Sequence, residues 1–511
     1  MSLYNYFIKN RNGNDNKNAI HFNNQNLNFR EVHDLINFYI HFFKNEGISI
    51  NTKVVIALDN IPEYIPILFA LSYLGSTAIP VNKDSNSNSL NKLISNCKGE
   101  YLLSDKIFIE SIKKFSHYGI SNNKCLDVIF FDKYSIKKIH KHDDFPMTTF
   151  DNDIDFIFTA TSGSTGDPKA IVLSQKNKIN RIFEGCIDEY DLIKDDVVLC
   201  ASPIYHSLGL RLCLIPFLLG CSLVLLKKFS PTKWIEAVHE NEVTFSISVS
   251  AHLVQILPYL LNNRKKIKSL KNLVASSSIL PNDIRTTYSK NFNMNFFECY
   301  GTSEVGIATS ILIKDELPDK CVGTPLKHVE IIILDSEGNK LDNYKVGQIA
   351  IRSLTSFKSY FKIKKRQNNL NENSYFETGD YGYLDNDNML YFQGRKQDLI
   401  NVGGSNVFAV DIENIINSHD DVAECAVIGK LDKYFGEVPI VFIVPANDNF
   451  KINHIKKFCI DNMSDFQLPR EFTVLEKLPK TPLGKLQKHK LINNEKQLQN
   501  DYNSFFKIHK K

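Results

Sequence analysis

A charge surplus of either sign is missing: 61 Lys+Arg against 57 Asp+Glu leave a formal +4 on 511 residues. So weak a field argues against a dedicated nucleic-acid or membrane-surface binder. The ten cysteines include no C-x-x-C pair, and the 14 histidines form no cluster at ligand spacing, which argues against a structural zinc site. The opening MSLYNYFIKNRNGNDNK has no basic stretch leading into an apolar core, so no secretory signal is expected; reduced thiols and a cytoplasmic setting follow. A clean membrane span is missing too. Residues 61–81 carry Glu63 with Pro62, Pro66 and Pro80, and residues 210–226 contain Arg211 and are broken by Pro216 and Gly220, whereas a span needs about 20 mostly apolar residues. No repeat of fixed period and no long low-complexity tract stands out.

What is present is an ordinary globular composition, 43% hydrophobic and 23% charged, long enough for roughly two to four domains with their own cores. LFALSYLGSTAIPV and LIPFLLGCSLVLL each read as a buried helix turning through glycine into a buried strand. DVVLCASPI, VTFSISVS and LKNLVASSS add Val/Ile/Leu-rich runs of the kind buried on both faces of a sheet, and residues 231–241 read as a helix between two of them. The expected fold class is α/β, with mixed sheets flanked by helices. After Cys321 the pattern changes to hairpins: HVEIIILDSEGNK, VGQIAIRS and DYGYLDNDNMLYFQGR suggest a small β-rich subdomain ending near Gly394. DIENIINSHDDVAECAVIG, VPIVFIV and HIKKFCIDNMSDF then read as a separate α+β domain. The expected boundaries are 1–394 and 395–511.

The densest chemical signal is the run Thr161-Ser162-Gly163-Ser164-Thr165-Gly166-Asp167-Pro168-Lys169. Glycines let backbone N–H groups approach an anion, hydroxyls donate further bonds and a lysine adds a point charge, so the loop suits phosphate. A Walker P-loop needs glycine immediately before its lysine and a helix after it; here Pro168 stands before Lys169 and a strand, AIVLS, follows.

This loop resembles the phosphate-binding signature of the acyl-adenylate-forming superfamily, which includes acyl-CoA synthetases, amino-acid adenylation domains and firefly-type luciferases. Further matches follow in that superfamily's order: Tyr300-Gly301-Thr302-Ser303-Glu304, Thr378-Gly379-Asp380, Gly394-Arg395, Gly403-Gly404 and Pro479-Lys480-Thr481-Pro482-Leu483-Gly484-Lys485. The likeness starts at Leu27-Asn28-Phe29-Arg30-Glu31 and covers nearly the whole chain. It implies ATP, Mg2+ and CoA, or the phosphopantetheine arm of a carrier protein, as cofactors and co-substrates. It implies that Ser162, Gly163, Ser164, Thr165 and Gly166 cradle phosphate beside Lys169. Glu304 and Thr161 are the implied metal contacts, with Ser303 a further hydroxyl. Tyr300, Gly301 and Thr302 are expected against the nucleotide with Ser277, and Asp380 on the ribose with Arg395. Lys485 is expected to bridge the carboxylate and the α-phosphate. A mobile C-terminal cap is implied, turning about Gln397 and presenting Gly403 and Gly404 to the incoming thiol. Here the chain departs from the family in three places: the pivot is usually Asp or Lys, Pro often stands where Ala409 does, and glycines stand where Ser276, Ser277 and Ser278 run.

Pro203-Ile204-Tyr205-His206-Ser207-Leu208-Gly209 resembles the histidine segment of acyl- and aryl-CoA ligases, so His206 is expected in the wall of the acid pocket with Ser276, Ser278 and Cys299. No aspartate is placed to hold a substrate ammonium, which favours an acid with an uncharged tail over an amino acid. The side chains of Ser276, Ser278 and Cys299 fill volume, suggesting a small aryl or a short to medium acyl acid. The reading is an ATP-dependent acid–CoA ligase with a small carboxylic acid as partner, no nucleic acid and no integral membrane association. Two alternatives stand beside it: loading of the acid onto a carrier protein, and a nucleotide-binding homologue without catalysis.

Overall fold

The computed structural model describes residues 1–85, 87–106, 108, 124–127, 144–161, 169–314, 317–361, 374–403, 405–480 and 486–491. Its contacts divide the chain into two units, one of residues 1–331, 351–376 and 388–390 and the other of 332–350, 377–387 and 391–511.

The first unit carries two large sheets. The nine-stranded one runs Thr324–Pro325, Gly306–Leu312, Asn295–Thr302, Asn272–Ser276, Phe245–Val249, Val197–Cys200, Ser222–Leu225, Asn18–Phe22, Gln25–Asn28. Its six central strands are parallel, and parallel neighbours need crossovers. Helices Ser207–Leu219, Pro231–Glu240, Ser250–Asn262 and Asn282–Asn291 supply them. Both glycine turns read from the sequence are left-handed C-caps, Gly75 at φ 66° and Gly220 at φ 86°. Three crossover helices press Trp234, Val238, Leu253, Ile256, Leu260 and Tyr288 against Leu199, Leu273 and Ala275. Within this apolar layer the Tyr288 hydroxyl is satisfied by the Leu253 carbonyl at 2.8 Å, as a buried polar group requires.

The seven-stranded sheet runs Ser359–Tyr360, Lys169–Ser174, Asp155–Thr161, Thr77–Pro80, Lys53–Ala57, Tyr101–Ser104, Lys124–Asp127. The helix Phe29–Asn45 opens with a reciprocal cap: Glu31 N–H donates to Asn28 Oδ1 and Asn28 N–H to Glu31 Oε2, both at 2.8 Å. The front motif Leu27-Asn28-Phe29-Arg30-Glu31 therefore has a local structural reason, since a capping box satisfies two otherwise orphaned amides.

Most of a four-stranded sheet, Val329–Leu334, Gly347–Ser353, Phe376–Leu384 and Leu390–Arg395, belongs to the second unit, matching the hairpins read after Cys321. Its C-terminal part is a five-stranded sheet in which Gly436–Pro445 lies between Val422–Asp432, Leu399–Val402 and Glu471–Val474. Ile412 and Ile416 of helix Ala409–Asn417 and Ile455 and Cys459 of helix Ile452–Asn462 seal it. Among the described residues nine cysteines are free and buried, no group of three or more His, Cys, Asp or Glu could hold a metal, and no helix is long and apolar enough to cross a membrane.

Candidate active site

In the first unit the glycine-rich loop joins two antiparallel strands, and its ends Thr161 and Lys169 are paired with one another. Strand, not helix, follows Lys169, in agreement with the departure from a Walker loop. Ser162, Gly163, Ser164, Thr165 and Gly166 lie outside the described residues.

The Tyr300 to Glu304 motif closes a strand and turns back on itself, with Thr302 paired to Gly306. A methyl group on Gly301 would sit 1.9 Å from the Gly306 carbonyl oxygen, so the close approach of the two strands admits no side chain there. Thr302 Oγ1 accepts from Val305 N–H at 3.3 Å, and Thr302 and Ser303 thereby shape the turn that presents Glu304. The Glu304 carboxylate accepts at Oε1 from the Tyr360 hydroxyl, 2.8 Å away. Its main chain is held as firmly: the buried guanidinium of Arg181 donates to the carbonyls of Ser303 and Glu304 and, through Nε at 2.8 Å, to that of Thr355. Burial first, then the neighbouring Arg211, lowers the Arg181 pKa to about 9, against the opposing pull of Glu304. Neither Tyr360 nor Arg181 was singled out from sequence. One is 56 residues from Glu304 and the other 123, and no local pattern announces them.

The histidine segment is fixed by Asn60, which donates to the carbonyls of Ser202 and Leu226 at 3.0 Å and accepts from Ile204 N–H at 2.8 Å. A methyl group on Gly209 would meet the Pro203 carbonyl oxygen at 2.2 Å, which accounts for glycine at the end of the motif. His206 Nε2 and Ser207 Oγ are buried without a hydrogen-bond partner among the described residues. Burial pulls the His206 pKa down from 6.5 to about 4, leaving a neutral imidazole.

Ser276 and Cys299 come together: the serine hydroxyl hydrogen-bonds the thiol, whose pKa burial pushes up to about 11. Ser277 and Ser278 are exposed, and Ser277 holds a left-handed φ of 78°. The Ser250 hydroxyl donates to the carbonyls of Ser276 and Ser278 and fixes this strained corner. Glu298, next to Cys299, is buried but paired, 2.6 Å from Arg285 Nε, and accepts from Leu280 N–H.

In the second unit Asp380 follows its predicted turn. Its amide donates to Thr378 Oγ1 at 3.0 Å, and that hydroxyl donates to the Ile349 carbonyl. Arg395 Nε stands 3.6 Å from Asp380 Oδ1, with the aspartate side chain 9% exposed and the arginine 48%, so the two expected ribose contacts are brought together. Gln397 is exposed in a single 3-10 turn, Lys396–Asp398. Gly403 turns at φ 59° between two short strands. Gly404 and Lys485 lie outside the described residues. The lysines flanking Lys485 are both engaged: Lys480 is paired with Glu424, and Lys488 is 2.8 Å from Glu413 and 3.8 Å from Asp398.

A large mixed α/β domain with this turn-mounted glutamate, followed by an Asp–Arg pair and a small α+β unit, defines an acyl-adenylate-forming architecture. The chain belongs to the AMP-binding enzyme family: that family's model matches residues 7–361, and the AMP-binding enzyme C-terminal domain matches 411–485. Among its relatives is the indoleacetate–CoA ligase of Aromatoleum aromaticum, 26% identical over 491 residues, covering 92% of this chain and 94% of that protein. The 2-succinylbenzoate–CoA ligase of Bacillus cytotoxicus is 26% identical over 442 residues, covering 86% and 88%. Among solved structures, ATP-bound MatB from Rhodopseudomonas palustris superposes with a TM-score of 0.87 at 22% identity, covering 98% of this chain and 100% of that one. The Bacillus subtilis o-succinylbenzoate CoA synthetase with its acyl-adenylate intermediate gives 0.85 at 23%, covering 95% and 97%.

Proposed function

We propose that the protein is an ATP-dependent acid–thiol ligase that activates a carboxylic acid as acyl-AMP and passes the acyl group to CoA. The observation that carries this reading is the match of both family domains along one chain, supported by relatives named as CoA ligases. The boundary we propose between adenylation domain and cap is 394/395.

In the first half-reaction a carboxylate oxygen of the acid attacks the α-phosphorus of ATP in line, the bond to the bridging oxygen breaks, and pyrophosphate leaves. The loop from Thr161 to Lys169 holds the phosphates, and Lys485 brings positive charge to the carboxylate and α-phosphate. Glu304, anchored at one oxygen by Tyr360, and Thr161 offer hard oxygen donors. These suit Mg2+, which takes one or two carboxylates with substrate phosphates and keeps several waters. When bound, Mg2+ offsets the charge that builds on the phosphate oxygens. Asp380 is an acceptor-only group matched to the two ribose hydroxyls, with Arg395 Nε 3.6 Å from its Oδ1. In the second half-reaction the cap turns near Gln397, Gly403 and Gly404 admit the thiol, its sulfur attacks the acyl carbon, and AMP leaves. His206, Ser276, Ser278 and Cys299 line the acid pocket.

The test is pyrophosphate release from Mg-ATP across a panel of aryl, short, medium and long acids, with and without CoA, beside Lys485→Ala. Acid-dependent release that needs Lys485 and ends in a CoA thioester is the expected result. Release that requires a carrier protein in place of CoA, or none with any acid, overturns the reading.

A further inference from the structure

Three basic side chains are buried together in the first unit. Lys178 is fully buried, Arg181 is 1% exposed and Arg211 6%. Lys178 and Arg181 stand three residues apart on the helix Gln175–Ile182 and so share a face; Arg211 enters from the helix Ser207–Leu219. The three interact electrostatically with one another, and the one carboxylate acting on Lys178 or Arg181 among the described residues is Glu304, on Arg181. Arg181 is accounted for by its three carbonyls. The other two are not: Lys178 Nζ and Arg211 Nε are buried with no hydrogen-bond partner among the described residues. Among the described residues Arg211 also hydrogen-bonds the thiol of Cys186 and acts on that of Cys299.

An unpaired buried cation is strongly unfavourable, and the same pair becomes favourable when an anion with good geometry arrives. Burial first, and then the two guanidinium groups, hold the Lys178 pKa well below the lysine range, and a nearby anion is what would favour its ammonium form. The position of the cluster says which ligand supplies it. Arg211 lies five residues beyond His206 on the same segment and acts on Cys299, which hydrogen-bonds Ser276; these are the residues assigned above to the acid pocket.

We propose that the acid substrate carries a second carboxylate, remote from the one that is adenylated, and that Arg211 and Lys178 receive it. This rests on the ligase reading above and replaces the uncharged tail expected from sequence: the missing aspartate excludes an ammonium but says nothing about an anion. Arg211 presents a planar fork suited to bidentate carboxylate recognition, and Lys178 adds a point charge.

The test pairs α,ω-diacids of four to eight carbons and carboxy-substituted aromatic acids with their mono-methyl esters, as substrates in pyrophosphate release and as ligands in thermal shift. Diacids should exceed their half-esters in kcat/KM by about thirtyfold or more, the scale expected when one partner of a buried charge pair is removed. Arg211→Gln and Lys178→Met should erase most of that ratio by raising KM for the acid while KM for ATP stays put. Without ligand, Lys178→Met should raise the melting temperature, which shows that the variant folds and that the buried amine has no partner in the empty site. Half-esters that serve as well as diacids overturn the inference, as does a rise in KM for ATP in place of the acid, which would assign the cations to the phosphates. If no acid releases pyrophosphate, the ligase reading fails by itself, and the thermal shift of diacid against half-ester, in wild type and Arg211→Gln, still decides the anion site.

Discussion

The phenolic hydroxyl of Tyr360 donates a 2.8 Å hydrogen bond to the carboxylate of Glu304, and Arg181 grips the main chain of the same residue. The carboxylate is therefore aimed by partners contributed from two distant stretches of chain. Tyr360→Phe removes the aim without removing the charge. A neutral hydrogen bond is worth about 1 kcal/mol, so adenylation should slow roughly fivefold, with the Mg2+ concentration for half-maximal rate shifted upward and the melting temperature nearly unchanged. Pyrophosphate release titrated with Mg2+ checks this; an unchanged titration would leave Tyr360 a packing residue.

Asp380 and Arg395 form a pair in which the aspartate is buried and the arginine half exposed. Hydrogen bonds to a charged acceptor contribute about 1.5 to 3 kcal/mol. Wild type should accordingly prefer ATP over 2′-deoxy- or 3′-deoxy-ATP by roughly ten- to a hundredfold in kcat/KM, and Asp380→Asn should lose most of that discrimination. Steady-state kinetics with the three nucleotides settles it.

Ser277 occupies a left-handed φ of 78° where a Cβ is disfavoured by about 1 to 2 kcal/mol. Ser277→Gly should stabilise the protein by about 1 kcal/mol, somewhat offset by the greater freedom of glycine in the unfolded chain. Urea denaturation measures the change, and a loss of stability would mean that Ser250, not backbone strain, governs this corner.

Burial lowers the pKa of His206 and of His252 from 6.5 to about 4, the latter stacked on Phe229 with ring centroids 3.5 Å apart. Between pH 4 and 6.5 the folded chain binds fewer protons than the unfolded chain at these sites. Their contribution is thus complete above the unfolded pKa and is lost as pH falls through the folded one, up to about 3 kcal/mol for each. His206→Gln should flatten the fall in melting temperature between pH 7 and pH 4.5, and a slope equal to wild type would refute the assignment.

The fold was legible because each α/β unit announces itself locally. A buried apolar helix, a glycine at its C-cap and a short strand recur at Gly75 and Gly220, and the left-handed φ at both is what glycine supplies. The motif positions were legible because turns and close approaches leave a compositional trace, as at Gly301. What the sequence hides is the support: Arg181, Tyr360, Asn60 and Arg285 are single residues whose roles arise only from tertiary neighbours. The cation cluster was hidden for the same reason. Lys178 sits in the polar run QKNKINR and reads as one of many solvated lysines, and only its complete burial separates it from them.

An acyl-AMP is a mixed anhydride, an electrophile that a thiolate can attack. The buried cysteines therefore bear on self-inactivation. Cys299 belongs to the proposed acid pocket, yet burial pushes its pKa up to about 11, and that of Cys221 up to about 12. Since the thiolate is the reactive form, only about one in ten thousand Cys299 side chains would be nucleophilic at neutral pH. A thiol of the proposed acid pocket is thereby kept in its unreactive form, which would leave the acyl group for a thiol from outside.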